Sequence, residues 1–304
     1  MAKFVQFSFE ESIRSERPSK YNFLNLNQSN EELILLRLML GTIKVKNNLN
    51  GLTIRQNTNY CSQDFSQWQS LSRKSIINFL SAEGIDLDSM HDYYSKSITF
   101  GNKKFYKSIL LELSNYIYQK QKDSHATAFL HLYRIIELIS YSFPLVYSSR
   151  ATSYEKTFNN LKDYFHKVDS ELNFFKQFVN GHLFKDNAAL LDISLNIPIT
   201  APNQDLQEQY FKAIKKLCDN NSKSIPISGS TNYSEIIITR RGLTSLIYDL
   251  RNRYFHLLTG GYNNNFDSND IMEVDLFYKN VNDIICNWIG VIYLEVTKLA
   301  YEVH

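Results

Sequence analysis

Between Ala126 and Phe143 the chain reads ATAFLHLYRIIELISYSF, and Phe129, Leu130, Leu132, Tyr133, Ile135, Ile136, Leu138 and Ile139 leave a helix there almost no polar side. Such a helix is stable only when other elements surround it. The segment therefore predicts the middle of a helical bundle. Pro144 is expected to end it, because proline has no N–H for the ladder and its ring collides with the preceding turn.

The neighbours follow the same period. Phe105, Ile109, Leu110, Leu113 and Ile117 mark one face of a helix that begins near Lys103. Tyr154–Phe165 and Glu171–Phe178 are dense in Phe and Tyr and read as further helical pieces. A polar stretch around Asn196–Asn203 follows, and residues 219–234 read as a plain loop. A helix is expected from near Thr239 through Leu243, Leu246, Ile247, Leu250 and Tyr254, stopping before Gly260 and Gly261. The last helix, Met272–Tyr301, carries Val274, Phe277, Val281, Ile284, Ile285, Trp288 and Ile292 at helical spacing. Only 10 Gly and 5 Pro interrupt 304 residues, whereas Tyr and Phe number 20 each, so long helices packed through aromatic rings are favoured over many short strands.

Residues 1–100 have a different texture. Lys3–Phe9 alternates apolar and polar residues like a strand, Asn30–Ile43 reads as a short helix capped by Ser29 or Asn30, and Lys46–Gln69 is polar without a period. The expected fold class is thus mainly α, with a helical bundle over 101–304 and a small mixed α/β N-terminal domain over 1–100. Ile284–Leu294 is the most apolar late run, but it falls short of the ~20 residues a membrane span needs and contains Asn287, so a buried helix is expected there. The N-terminus lacks the basic segment and apolar run of a secretion signal. Cys61, Cys218 and Cys286 are odd in number and widely spaced, which suits a reducing compartment and offers no metal-ligand register. A cytoplasmic protein with no membrane contact, no metal and no cofactor is the expectation. Net charge is only +2, so contact with nucleic acid would have to be local.

The chemistry-bearing segment is RNRYFH, Arg251 to His256. Metal-free RNA cleavage needs a base for the 2′-hydroxyl proton, an acid for the leaving 5′-oxygen and a cation for the charge on phosphorus. An imidazole exchanges protons at neutral pH, and a guanidinium offers a permanent charge with a fork matched to phosphate oxygens. His256 would be the acid or base and Arg251 the electrostatic stabiliser. Five positions on an ideal helix turn through ~500°, which leaves Arg251 and His256 roughly 140° apart, whereas Asn252 and His256 share a face. Either the last turn is distorted, or a second copy of the chain completes the site.

Arg251, Asn252 and His256, on a helix that follows a buried aromatic helix bearing Glu137, resemble the motif of the HEPN superfamily (higher eukaryotes and prokaryotes nucleotide-binding domains). The resemblance implies a metal-independent endoribonuclease leaving 2′,3′-cyclic phosphate ends, a homodimer with its cleft at a two-fold interface, and a toxin or anti-phage abortive-infection effector acting on cellular RNA. Residues 1–100 would sense a trigger, an antitoxin or phage-derived component, or restrain activity. Catalytic candidates are Arg251, Asn252 and His256. Glu137, Arg134 and Tyr254 stand as supporting candidates, and Arg240, Arg241 and Arg253 as weaker RNA contacts.

Plainer roles compete with each of these. His256 would suit the negative end of a helix dipole, Arg251 and Arg253 would pair with Asp249, and Arg134 would pair with Glu137 on the His131, Arg134, Glu137 stripe. Arg240 and Arg241 would simply be solvated. The rival reading of the whole is a non-catalytic HEPN-type nucleotide-binding or protein-interaction module.

Overall fold

The computed structural model describes residues 5–12, 24–26, 30–64, 73–96, 102–149, 155, 159, 162, 171–255 and 265–301. Lys3, Ser29, most of Tyr154–Phe165, His256, Gly260 and Gly261 lie outside the described residues. The chain is mainly helical, with a small sheet near its N-terminus.

That sheet is antiparallel, in the order β1 (Phe7–Glu11), β2 (Ile43–Asn47), β3 (Thr53–Arg55). The first strand starts four residues later than the alternation beginning at Lys3 suggests. Helix α1 (Glu31–Met39) is capped by Asn30, whose Oδ1 accepts from the Leu33 N–H at 2.9 Å. It stops short of Ile43 because Gly41 adopts φ +71°, and a Cβ there would meet the Thr58 carbonyl oxygen at 2.7 Å. Arg37 ties α1 to the sheet. Its guanidinium is buried and donates to both carboxylate oxygens of Glu11 (2.8 and 2.6 Å) and to the Leu24 carbonyl at 2.8 Å.

Helices α2 (Arg73–Ala82) and α3 (Leu87–Lys96) lead to the bundle. Its central hairpin is α4 (Lys103–Gln121) and α5 (His125–Ser149). The predicted stop at Pro144 does not occur, and α5 runs through the proline. Phe143 and Pro144 are buried, so packing on both flanks outweighs the ~3 kcal/mol that an interior proline costs. As the sequence predicts, α5 is enclosed on nearly every side. Among its described side chains the exposed ones are Arg134, Glu137, Tyr141 and Leu145, a single narrow strip.

After α6 (Glu171–Phe178) the backbone loosens into a π-turn at Val179–Leu183 and a 3-10 stretch at Lys185–Asp192. The region expected to be polar connection and plain loop then forms a second antiparallel sheet. Its order is β4 (Ser194–Pro198), β6 (Glu235–Thr239), β5 (Ile227–Thr231), and α7 (Gln204–Asn220) lies between β4 and β5 in sequence. Leu195 and Ile197 of β4 and Ile236 and Ile238 of β6 point into the core at every second position. The motif helix α8 (Leu243–Phe255) starts later than Thr239, because β6 and a 3-10 turn at Arg240–Gly242 use the residues before it.

Helix α9 (Val274–Tyr301) is the axis of the fold, and every residue from Ile284 to Leu294 is buried. Trp288 stacks on Phe184 at 5.6 Å and donates its indole N–H to Thr244 of α8 at 3.0 Å. Tyr293 donates to the Glu32 carbonyl at 2.9 Å. The turn at Tyr60–Ser62 lies directly on this helix. Asn287 donates its side-chain amide to the carbonyls of Tyr60 (2.9 Å) and Ser62 (2.8 Å), and Gly290, one turn on, leaves the room the turn occupies. Residues before position 100 therefore share one continuous hydrophobic core with the bundle.

A second tie lies at the other edge of this turn. Asp283 Oδ1 accepts from Tyr60 (2.6 Å), Tyr116 (2.9 Å) and Lys120 (2.5 Å), joining the turn, α4 and α9. Burial pushes the Asp283 carboxyl upward, but the Lys120 charge and these three donors together outweigh it and hold the group below the usual carboxylate range. Its contribution to stability is therefore present above about pH 4 and is lost as pH falls through the lower folded value.

Two outcomes are expected. Gly290→Ala places a methyl on the Tyr60 carbonyl oxygen and destabilises the fold by about 1–3 kcal/mol in urea unfolding, an overpacking cost. Asp283→Ala leaves two buried phenols without their acceptor, at about 1–3 kcal/mol each. Its deficit in thermal midpoint should be large at pH 7 and shrink at acid pH; an equal deficit at every pH would contradict the charge assignment.

Candidate active site

Helix α8 presents its apolar side, Leu243, Leu246, Ile247 and Leu250, to the core, and Arg251 beside it reaches Tyr133 and Glu137 of α5. Arg251 lies over the ring of Tyr133, with its guanidinium carbon 4.9 Å from the ring centre. Nη1 donates to Asn252 Oδ1 at 2.9 Å, and Nη2 lies 4.0 Å from Glu137 Oε1. Glu137 is half exposed, so that ion pair is weak and screened. The guanidinium is thus held in orientation by a buried ring and a side-chain amide while keeping N–H groups for another partner. The Tyr133 hydroxyl is pushed up to about 12, chiefly by burial, with Arg251 pulling down against Glu137 and Tyr248. It stays protonated at neutral pH.

The structure brings Arg251, Asn252 and Glu137 together. His256 lies outside the described residues. Asn252 turns its carbonyl oxygen to Arg251, a partner that the shared face with His256 does not suggest. Tyr254 is packed inward, edge-on to Phe255 at 4.7 Å and to Tyr278 at 5.8 Å. There it serves the aromatic core between α8 and α9.

Arg134 does not pair with Glu137. Its Nη2 reaches Glu112 Oε1 at 3.0 Å, while Glu112 Oε2 lies 2.8 Å from His131 Nδ1. The Glu112 side chain is only 9% exposed, so one buried carboxylate on α4 holds two donors on α5. Sequence reading missed Glu112 and Tyr133. The signal for Glu112 was present, because a carboxylate set in the apolar run Ile109–Leu113 must find a partner.

The weaker RNA candidates sort differently from expectation. Arg240 is not a solvated surface cation: it is 1% exposed and donates Nη2 to the Gln63 carbonyl, and burial lowers its affinity for its proton despite nearby Asp64. Its charge is committed to joining the start of α8 to the loop before α2. Arg241 pairs with Asp192 through Nε (3.2 Å) and Nη2 (2.8 Å) at the surface. Arg253 and Lys176 are the cations that face Asp249, so Arg251 does not take that carboxylate. Among the described residues no three His, Cys, Asp or Glu side chains are grouped to hold a metal ion, and no helix is long and apolar enough to cross a membrane.

Burial pushes the Asp249 carboxyl up to about 6, although Arg253 and Lys176 pull it down. A carboxyl raised above its unfolded value favours folding fully below about pH 4, and that advantage is lost as pH rises through 6. Asp249→Asn is therefore expected to raise the thermal midpoint at pH 8 and to converge with the parent protein near pH 4. A variant less stable than the parent at pH 8 would show that the ionised carboxylate is favourable where it stands. Searches against models of known protein families, against curated proteins and against solved structures return no match for this chain.

Proposed function

We propose that the chain is a metal-independent endoribonuclease of the HEPN type. The observation that carries this reading is the Arg251 guanidinium, oriented on the Tyr133 ring and by Asn252, partly exposed, and opposed only by a loose carboxylate. A phosphate accepting two parallel N–H bonds from that fork would displace Glu137, since a bidentate charge-assisted pair is stronger than a 4.0 Å contact in solvent.

The reaction moves two protons. The 2′-oxygen attacks phosphorus as its proton passes to a base, and the 5′-oxygen leaves as an acid protonates it, giving a 2′,3′-cyclic phosphate and a 5′-hydroxyl. Each copy of the motif supplies one imidazole, His256, and the reaction needs two proton-transfer groups. A homodimer with both motifs at its two-fold axis provides the pair and places an Arg251 on each side of the cleft. In this reading the protein acts in the cytoplasm on cellular RNA as a toxin or anti-phage abortive-infection effector. The N-terminal region senses an antitoxin or a phage-derived trigger.

Purified protein incubated with total RNA in EDTA is expected to cut it and leave cyclic phosphate ends. His256→Ala and Arg251→Ala should each slow cleavage about 10²–10⁴-fold with the fold unchanged by circular dichroism. Full activity in both variants, or no cleavage by the parent protein with or without a phage trigger, would leave the non-catalytic module as the better reading.

A further inference from the structure

The exposed strip of α5 carries more than Glu137. At ~100° per residue, Tyr141, Arg134, Leu145, Leu138 and His131 fall within an arc of roughly 80°, and the strip runs roughly 20 Å along the helix from His131 to Leu145. Glu137 borders this arc on the side of α8, beside Arg251. Glu112 of α4 borders it on the other side.

Two features set this strip apart from an ordinary solvated face. The first is the Glu112 anchor. A nearly buried carboxylate fixes the His131 ring through Nδ1 and Arg134 through a single Nη2 contact. Glu112 engages neither His131 Nε2 nor the remaining guanidinium nitrogens; the Arg134 side chain is 61% exposed and that of His131 16%. A carboxylate that only clamped two helices would need one of these donors. The second is Tyr141, two turns beyond Arg134, with half of its surface exposed and exposed Leu145 one turn further.

We propose that the outward face of α5 is a track for single-stranded RNA, in which His131 and Arg134, anchored on Glu112, take a backbone phosphate and Tyr141 takes an unstacked base on its ring. Charged donors interleaved with an aromatic platform are how single strands are held without sequence readout. The centre of a protein-docking face is instead depleted of charge. The strip and its borders hold two carboxylates against two guanidiniums and an imidazole, so attraction is local and directional, in keeping with a net charge of only +2. The proposal rests on RNA being the substrate. It adds a path by which the strand reaches Arg251 along the helix that carries Tyr133 and Glu137.

The test uses the full chain and a fluorescent oligouridylate whose riboses are 2′-O-methylated, so that it binds and cannot be cut. Anisotropy titrations across a salt series should show binding with a shallow salt slope. His131→Ala and Arg134→Ala should each weaken binding several-fold, and Arg134→Ala should also flatten the slope by about 0.7, the loss of one single-strand phosphate contact. Tyr141→Ala should weaken binding about fivefold or more at unchanged slope, and Tyr141→Phe should restore it. Parent affinity and slope in all three alanine variants would overturn the track while leaving the ribonuclease reading intact, provided the parent cuts ordinary RNA. Residue-dependent binding by a protein that cuts no RNA would keep the track and remove the ribonuclease reading. Should Tyr141→Ala instead leave RNA binding unchanged and dissociate a dimer in ultracentrifugation, the face is a contact between copies and the track is wrong.

Discussion

The seating of the Tyr60–Ser62 turn on α9 is the constraint on which the rest of the arrangement depends. A helix surface normally keeps another backbone at side-chain distance. Here Gly290 removes that spacing and Asn287 satisfies two carbonyls that would otherwise be buried without partners. The consequence is a single core. The first sheet and α1 cannot move as a separate body without breaking the hydrogen bonds that Asn287 donates to this turn. Arg240 reinforces the link from the other side, joining the beginning of α8 to the Gln63 carbonyl.

With α9 as axis, α5 becomes the element that organises the polar surface. Its apolar faces are covered by α4, α9 and the helices after it, so among its described side chains a strip is left to solvent. Three residues of that strip, Glu137, His131 and Arg134, meet partners from neighbouring helices. Glu137 faces Arg251 of α8, and His131 and Arg134 share Glu112 of α4. Because all three stand on one helix, their spacing is set by its rise and turn. A guanidinium resting on a buried ring and an imidazole tied to a buried carboxylate lose little freedom when an anion arrives, which makes such a surface suited to binding.

The ionisable groups divide by environment into two kinds. Asp283 is held ionised by three donors against its burial, and it locks the fold. Asp249 is held partly protonated near neutrality because burial outweighs two cations that face it, and it costs stability when it ionises. The contrast comes from hydrogen bonding. Asp283 Oδ1 receives three donors at 2.5–2.9 Å, whereas Asp249 is influenced by its cations through charge at a distance.

What the sequence determined by itself was whatever local periodicity encodes: the all-round apolar α5, the buried run Ile284–Leu294, the face of α4 and the Asn30 cap. Through the resemblance, it also singled out Arg251, Asn252 and His256 with Glu137 in support, and of these the described residues bring Arg251, Asn252 and Glu137 together. The second sheet was missed because β4, β5 and β6 are five residues each, too short for period two to stand out, although the β-branched run Ile236–Ile238 was a usable sign. Pro144 was misjudged because an intrinsic helix penalty says nothing of the packing that overrides it. Tertiary structure alone decided which charge meets which. Arg134 chose Glu112 over Glu137, Arg240 went inside, and the N-terminal region joined the bundle's core, because partner choice depends on which helix faces lie against one another, and residues as far apart in sequence as Arg134 from Glu112 or Arg240 from Gln63 carry no mark of that in the chain.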